Sequence, residues 1–271
     1  MAFKMKYEIK YEYLTNSINR SKIKADKRLF QVAHDTGNIN STARNNVNYL
    51  NRKFKIVNGE RFEAYNDKDG KPVPFRVASA HSFIDDKEII VCIPLDEKAW
   101  HVLYNVTTDN SLFGDDANDV ALGHELCFFT DLERSREAYK RFVWFNAYTL
   151  YLEGLNPIKH LVSHKQLDPK RKVDPDHAFS RIGKTFANFI QDVLKEIEDC
   201  TKIEEPKIPV EVDLFMKLSD WQWKRIEAIV QEQLDKKIIS DLNWISKIQK
   251  RTITMDEYIY LLSEIVVRRG E

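Results

Sequence analysis

The chain alternates short, continuous apolar runs with longer stretches of helical period. LFQVAH at 29–34 is apolar, β-prone and ends on His34, so it reads as a buried strand. RVASAHSFID (76–85) and KEIIVCIPL (87–95) read as two more strands, joined by a tight turn at Asp85 and Asp86. ALGHELCFF (121–129) and the short HLVSH (160–164) complete the strand set. Between them, Asn40 or Ser41 caps a helix that runs to about Lys53. Thr130 and Glu133 have capping-box spacing and open a helix to about Glu153, stopped by Gly154 with Pro157 beyond. A third helix from about Phe179 to Asp199 places Ile182, Phe186, Phe189, Ile190 and Val193 on one face. Residues 58–75 are expected to form a loop or hairpin, 105–120 a surface loop, and 164–177 a polar loop with two prolines. This order of strands and helices argues for an α/β domain built on a central sheet.

The pattern changes after residue 200. TKIEEPKIPVEVD (201–213) has two prolines and mixed charge without periodicity, which marks a linker. Residues 214–271 predict a small all-helical C-terminal domain. Ser219 caps a helix carrying Trp223, Ile226, Val230 and Leu234, and Thr254 with Glu257 forms a capping box before YIYLLSEIVV. The expected domains are therefore 1–200, a linker 201–213, and 214–271.

Composition narrows the function classes. The 271 residues include 42 basic and 42 acidic side chains, so the formal net charge is zero. That balance gives no electrostatic reason to expect nucleic acid or an anionic membrane as the main partner. No run approaches the length needed to insert into a bilayer, and MAFKMKYEIKYEYL has no apolar segment of the secretory type. Synthesis in a reducing cytoplasm is expected, because the three cysteines are few and unpatterned. Cys92 and Cys127 lie in apolar runs and read as buried small hydrophobes.

Several polar residues stand out against this background. His34 ends an apolar strand, a place where ligands collect, although a lone histidine is more often structural. His164 also ends an apolar run, and Asp174 follows ten residues later, just before Pro175. The loop between them is long enough to fold back on one ion, and two imidazoles with one carboxylate form a catalytic zinc set. Turn chemistry alone explains the same Asp and Pro residues. Glu125 sits inside an apolar strand, where a carboxylate is costly unless it has a partner or a task; the alternative is the solvent face of an edge strand. His124 must face the other way. Lys172, two residues before Asp174, is either an oxyanion-supporting cation or one more solvated lysine in PKRKVD.

VAHDTGN, SAHSFIDDKEIIVCIPLDEKAWH, HELCFF and HKQLDPKRKVDP, in this order over about residues 25–200, resemble the type 2 N-acetylmuramoyl-L-alanine amidases. That family includes phage endolysins and is related to peptidoglycan recognition proteins. The resemblance implies a central mixed β-sheet flanked by helices and a Zn2+ hydrolase. The implied reaction cuts the amide between N-acetylmuramic acid and L-alanine in bacterial peptidoglycan. It implies His34, His164 and Asp174 as metal ligands, and Glu125 and Lys172 as catalytic groups. Asp35, Thr36, Trp100 and His101 are implied in substrate binding. His81 also matches a family position and is expected in the core or behind the site.

Two departures matter. Ala80 stands where some members carry a tyrosine, which moves the proton-transfer role to Glu125. Residues 54–77 are longer than the family minimum and are expected to wall the substrate groove. The C-terminal segment resembles the helical tails of Bacillus-type phage amidases, which implies a cell-wall ligand. Trp221, Trp223 and Trp244 either stack on sugars or form a small core. As an endolysin the protein would be made in the host cytoplasm and reach the wall through a holin-type pore. The rival readings are a non-catalytic muropeptide-binding protein and a cytoplasmic muropeptide-recycling amidase.

Overall fold

A computed structural model describes residues 2–202 and 215–270. The linker expected at 201–213 lies, from residue 203 on, outside the described residues. The chain divides into two compact units, 1–203 and 204–271.

Unit 1 holds strands β1 (Ile9–Tyr11), β2 (Phe30–Asp35), β3 (Phe54–Val57), β4 (Glu60–Asn66), β5 (Pro72–Pro74), β6 (Ser82–Ile84), β7 (Ile89–Val91), β8 (Ala121–Leu126) and β9 (Leu161–Ser163). Its helices are α1 (Ala43–Leu50), α2 (Thr108–Phe113), α3 (Ala117–Val120), α4 (Leu132–Leu152), α5 (Pro157–His160), α6 (His164–Leu167), α7 (Asp176–Arg181) and α8 (Phe186–Thr201). Six strands form the central sheet in the order β1-β7-β6-β8-β2-β9. Only the β6–β7 pair is antiparallel, so the sheet is mixed. Strands β3, β4 and β5 make a separate antiparallel sheet.

The sheet has two faces of different character. In β2, Phe30, Val32 and His34 share one face with Ala121, Gly123 and Glu125 of β8, because the parallel register pairs these residues directly. On the other face lies α4, which packs against β2, β6 and β8 and is backed by α8. Helix α4 is enclosed nearly all round over residues 142–150, where Phe142, Trp144, Phe145, Ala147 and Leu150 are completely buried. A helix between a sheet and a second helix has little solvent face to show. The rings of Phe142, Phe179 and Phe189 interlock at 5.1–6.5 Å.

Several expected boundaries move. Helix α1 is capped by Thr42, not Asn40 or Ser41. The Asn40 side chain instead accepts from the Thr130 N–H and hydroxyl, stitching two loops. Helix α4 is capped by Asp131, whose carboxylate accepts from the N–H groups of Glu133 and Arg134, so Thr130 makes no capping box. The surface loop expected at 105–120 contains α2 and α3, and Asp109 and Asn118 are buried there. The helix expected from Phe179 is two: α7 ends near Gly183 (φ +70°), and Thr185 with Asn188 caps α8 afresh. All three cysteines are free and buried.

Unit 2 contains α9 (Asp220–Asp235), α10 (Asn243–Gln249) and α11 (Met255–Arg269). Ser219 and Thr254 cap α9 and α11 through full capping boxes. Trp223, Ile226, Val230, Ile248, Leu261 and Ile265 form its core. Trp223 belongs to that core and Trp244 packs against it, while Trp221 is 73% exposed. No helix among the described residues is long and apolar enough to cross a membrane.

The α4 aromatic cluster carries much of the stability of unit 1. Phe142→Ala should cost about 3–5 kcal/mol, read as a lower urea midpoint; a loss below about 1 kcal/mol would contradict this packing.

Candidate active site

The site is assembled at the C-terminal ends of three neighbouring parallel strands, where open α/β sheets collect their ligands. His34 is the fifth of six residues in β2 and pairs in register with Glu125 of β8. His164 opens α6 immediately after β9, on the other side of β2. Its capping box, Ser163 with Gln166, fixes the direction in which the chain leaves the sheet. Asp174 returns from the α6–α7 connection, where its carbonyl accepts from the Lys165 N–H at 3.0 Å.

Three atoms converge there. His34 Nδ1 lies 3.0 Å from His164 Nδ1 and 3.1 Å from Asp174 Oδ2, and His164 Nδ1 lies 3.0 Å from the same oxygen. All three residues are buried. Burial and the neighbouring His164 push the His34 imidazole down to about 4, so it is neutral at physiological pH. Burial works against the Asp174 charge, but contacts from His164 and His34 outweigh it and hold the carboxyl well below the usual carboxylate range. Two imidazoles and a carboxylate form a donor set that zinc selects. Tetrahedral bonds of about 2.0–2.1 Å separate ligand atoms by about 3.3 Å, close to the spacing found.

A groove of about 450 Å³ opens over this cluster. Asp35, Thr36, Trp100, His101, Glu125 and Lys172 all line it, together with the three convergent residues. Glu125 points into the groove, while His124 faces α4. There His124 meets Ser82 Oγ at 2.8 Å and Thr149 Oγ1 at 3.3 Å. Burial lowers His124 to about 3, which makes it a neutral core histidine. Burial pushes the Glu125 carboxyl well above its usual range, with Asp174 and Asp35 adding to the effect. Lys172 has no ion-pair partner among the described residues, and its charge favours the ionised form of Glu125. The Asp35 carboxylate is already engaged: it accepts from the N–H groups of Gly37 at 3.0 Å and Ala178 at 3.1 Å, tying β2 to α7.

Unsatisfied polar atoms single out this groove. Among the described residues, six buried side-chain atoms lack a hydrogen-bond partner. Four of them, Thr36 Oγ1, His101 Nε2, Glu125 Oε2 and His164 Nε2, belong to groove residues. Each such atom costs about 1–3 kcal/mol, a clustering expected where a ligand supplies the missing partners. A larger cavity of about 520 Å³ beside α4 and α8 contains none of these six atoms. There Lys184 and Tyr139 meet Asp192, and Lys6 meets Glu196.

The walls come from segments with no regular structure. Arg76 and Val77, the last two residues of the 54–77 segment expected to wall the groove, line it, while residues 54–75 with the β3–β5 sheet are not among its lining residues. Arg28 is half-buried and donates to the carbonyls of Leu95, Glu97 and Ala121, holding the segment before Trp100 against β8. His81 is a neutral spacer in the same place: its Nδ1 accepts from the Gly123 N–H at 3.0 Å and its Nε2 donates to the Glu97 carbonyl at 2.9 Å. Sequence reasoning missed Arg76, Arg171 and Gly123, and read His177, which lines the groove, as structural. Gly123 did leave a signal, since a lone glycine inside a strand marks a close approach.

A family model for N-acetylmuramoyl-L-alanine amidase matches residues 26–177, more than half of the chain and all of the groove. The chain belongs to the type 2 N-acetylmuramoyl-L-alanine amidase family. An amidase of this family hydrolyses an amide of peptidoglycan. Among solved structures, the Staphylococcus aureus hydrolase AmiA, in complex with its ligand, is similar at a TM-score of 0.53 and 16% identity. The match covers 72% of this chain and 85% of that one, and it shows the amidase fold. The catalytic domain of XlyA matches at 0.49 and 19% identity, over 69% of this chain and 99% of that one. A mutant endolysin from Bacillus subtilis matches at 0.48 and 18%, over 69% and 98%. No curated protein gives a significant match.

The amidase groove also makes a packing prediction. A Cβ on Gly123 would stand 2.6 Å from Cγ of the His101 ring. Gly123→Ala should therefore lose about 1–3 kcal/mol in urea unfolding, and most of that loss should vanish in a His101→Ala background. Equal losses in both backgrounds would rule out the clash.

Proposed function

We propose that this amidase is a zinc enzyme of the endolysin type that cuts between N-acetylmuramic acid and L-alanine, with His34, His164 and Asp174 holding the metal. The observation that carries the reading is the convergence of His34 Nδ1, His164 Nδ1 and Asp174 Oδ2 within 3.1 Å, beneath an open groove. Zinc bound there supplies Lewis acidity toward the scissile carbonyl and the attacking water. Glu125, whose Oε2 is sealed and unpartnered, takes the proton of that water and returns it to the leaving alanine nitrogen. Lys172, at the groove wall, offsets the negative charge that develops on the carbonyl oxygen. Trp100, half-buried beside Tyr104 at 6.0 Å, offers an aromatic face to sugar or peptide. Thr36, with its free hydroxyl, and His101 supply polar contacts.

On this reading Asp35 contributes to substrate binding by holding the β2 end in place, since its carboxylate is occupied by backbone donors. Unit 2 is the cell-wall-binding module, with exposed Trp221 available for stacking. The biological setting proposed is phage-directed lysis, in which a holin-type pore brings the enzyme from the host cytoplasm to the wall.

The enzyme reading is tested by digesting purified peptidoglycan and counting new L-alanine amino termini. Activity should disappear with a chelator and return with zinc; full activity in the metal-free protein would overturn it. His34→Ala should lose zinc and turnover together. Glu125→Ala should keep stoichiometric zinc and lose about 10²–10⁴-fold in turnover, and near-normal turnover would refute its role.

A further inference from the structure

His101 stands in a more constrained position than a groove-wall residue needs. The N–H groups of His101 and Val102 both donate to Asn118 Oδ1, at 2.8 and 3.0 Å, which fixes the backbone. The ring lies against Gly123, where an added Cβ would stand 2.6 Å from its Cγ. Its Nδ1 is 3.0 Å from His34 Nε2, with the two ring planes at 88°. Its Nε2 is buried and has no hydrogen-bond partner among the described residues, on a residue that lines the groove.

The proton positions follow from chemistry. His34 Nδ1 faces His164 Nδ1 and Asp174 Oδ2, so an electron pair is needed on that nitrogen to bind a cation. A neutral imidazole carries one N–H, which therefore sits on His34 Nε2 and points at His101 Nδ1. His101 accepts there, and its own proton lies on the unpartnered Nε2. Metal-binding histidines are generally held through the second ring nitrogen by such a partner, and its loss weakens metal affinity about 10–100-fold.

We infer that His101 is a positioning residue for His34, locking the tautomer and ring angle that present Nδ1 to zinc, while its Nε2–H is left to donate to an amide or carboxylate oxygen of the substrate. This rests on the zinc reading above. The two nitrogens are separable by substitution: an Asn side chain places an acceptor near the Nδ1 position, whereas Gln reaches toward Nε2 and leaves the Nδ1 position without one.

Zinc affinity of the full chain, measured by competition with a chromophoric chelator, tests the inference. His101→Asn should stay within about threefold of wild type, while His101→Gln and His101→Phe weaken zinc about 10–100-fold. Zinc-loaded His101→Asn should show a several-fold higher KM for muropeptide, reflecting the lost Nε2–H. Wild-type zinc affinity in all three variants would overturn this inference alone. A wild-type protein that binds no zinc would overturn the metal reading and this inference together. Ring 15N spectra of the zinc-loaded wild type need no variant to fold: His34 should carry its proton on Nε2, and a proton on Nδ1 would overturn the assignment.

Discussion

Parallel pairing of β2 with β8 on one side and β9 on the other is the constraint on which the site depends. The register sets His34 beside Glu125 on one face of the sheet, and β9 delivers His164 at the same edge. A one-residue slip in either strand would turn these side chains toward α4. The apolar residues below them, Phe30, Val32, Ala121 and Val162, are buried together and make such a slip costly. The catalytic geometry is thus anchored by residues that take no part in the chemistry.

The groove is a place where local stability is given up. Four buried polar atoms without partners, one of them on the Glu125 carboxyl, are unfavourable in a fold without ligands. The opposite face of the sheet offsets them. Its aromatic core on α4 is enclosed, and several of its polar groups pair, as where Gln31 Nε2 and His124 both meet Thr149 Oγ1, while Gln31 Oε1 and Asn146 Oδ1 are left without partners. A cation held there, as proposed, would link metal binding to fold stability. Arg28 and His81 extend the rigid support to the irregular segment carrying Trp100 and His101.

Much of this was legible in the residue pattern. Strands buried on both faces read as plain apolar runs, so β2, β8 and β9 and the residues at their ends stood out. Period-two alternation separated Glu125 from His124 correctly. Asp174 was different: a carboxylate in a Pro-rich loop looks like turn chemistry, and only the family resemblance pointed to it. Helix caps shifted by one or two residues because several capping side chains stand in a row, and tertiary contacts chose among them, as Asn40 shows. Helices α2 and α3 were missed because their sequence is polar; they are held by buried Asp109, whose carboxylate accepts from the Ala117 N–H at 2.7 Å. The link from His101 to His34 has no local signature, since it joins residues 67 positions apart across Gly123.

The central claim is that three side chains from β2, α6 and the loop before α7 form one metal centre. Zinc content of the purified chain, combined with zinc K-edge absorption, tests it most directly. The account predicts one zinc per chain, with two imidazole nitrogens and at least one oxygen at about 2.0–2.2 Å and no sulfur. A sulfur scatterer at about 2.3 Å, or the same zinc signal in a chain carrying His34→Ala, would contradict it.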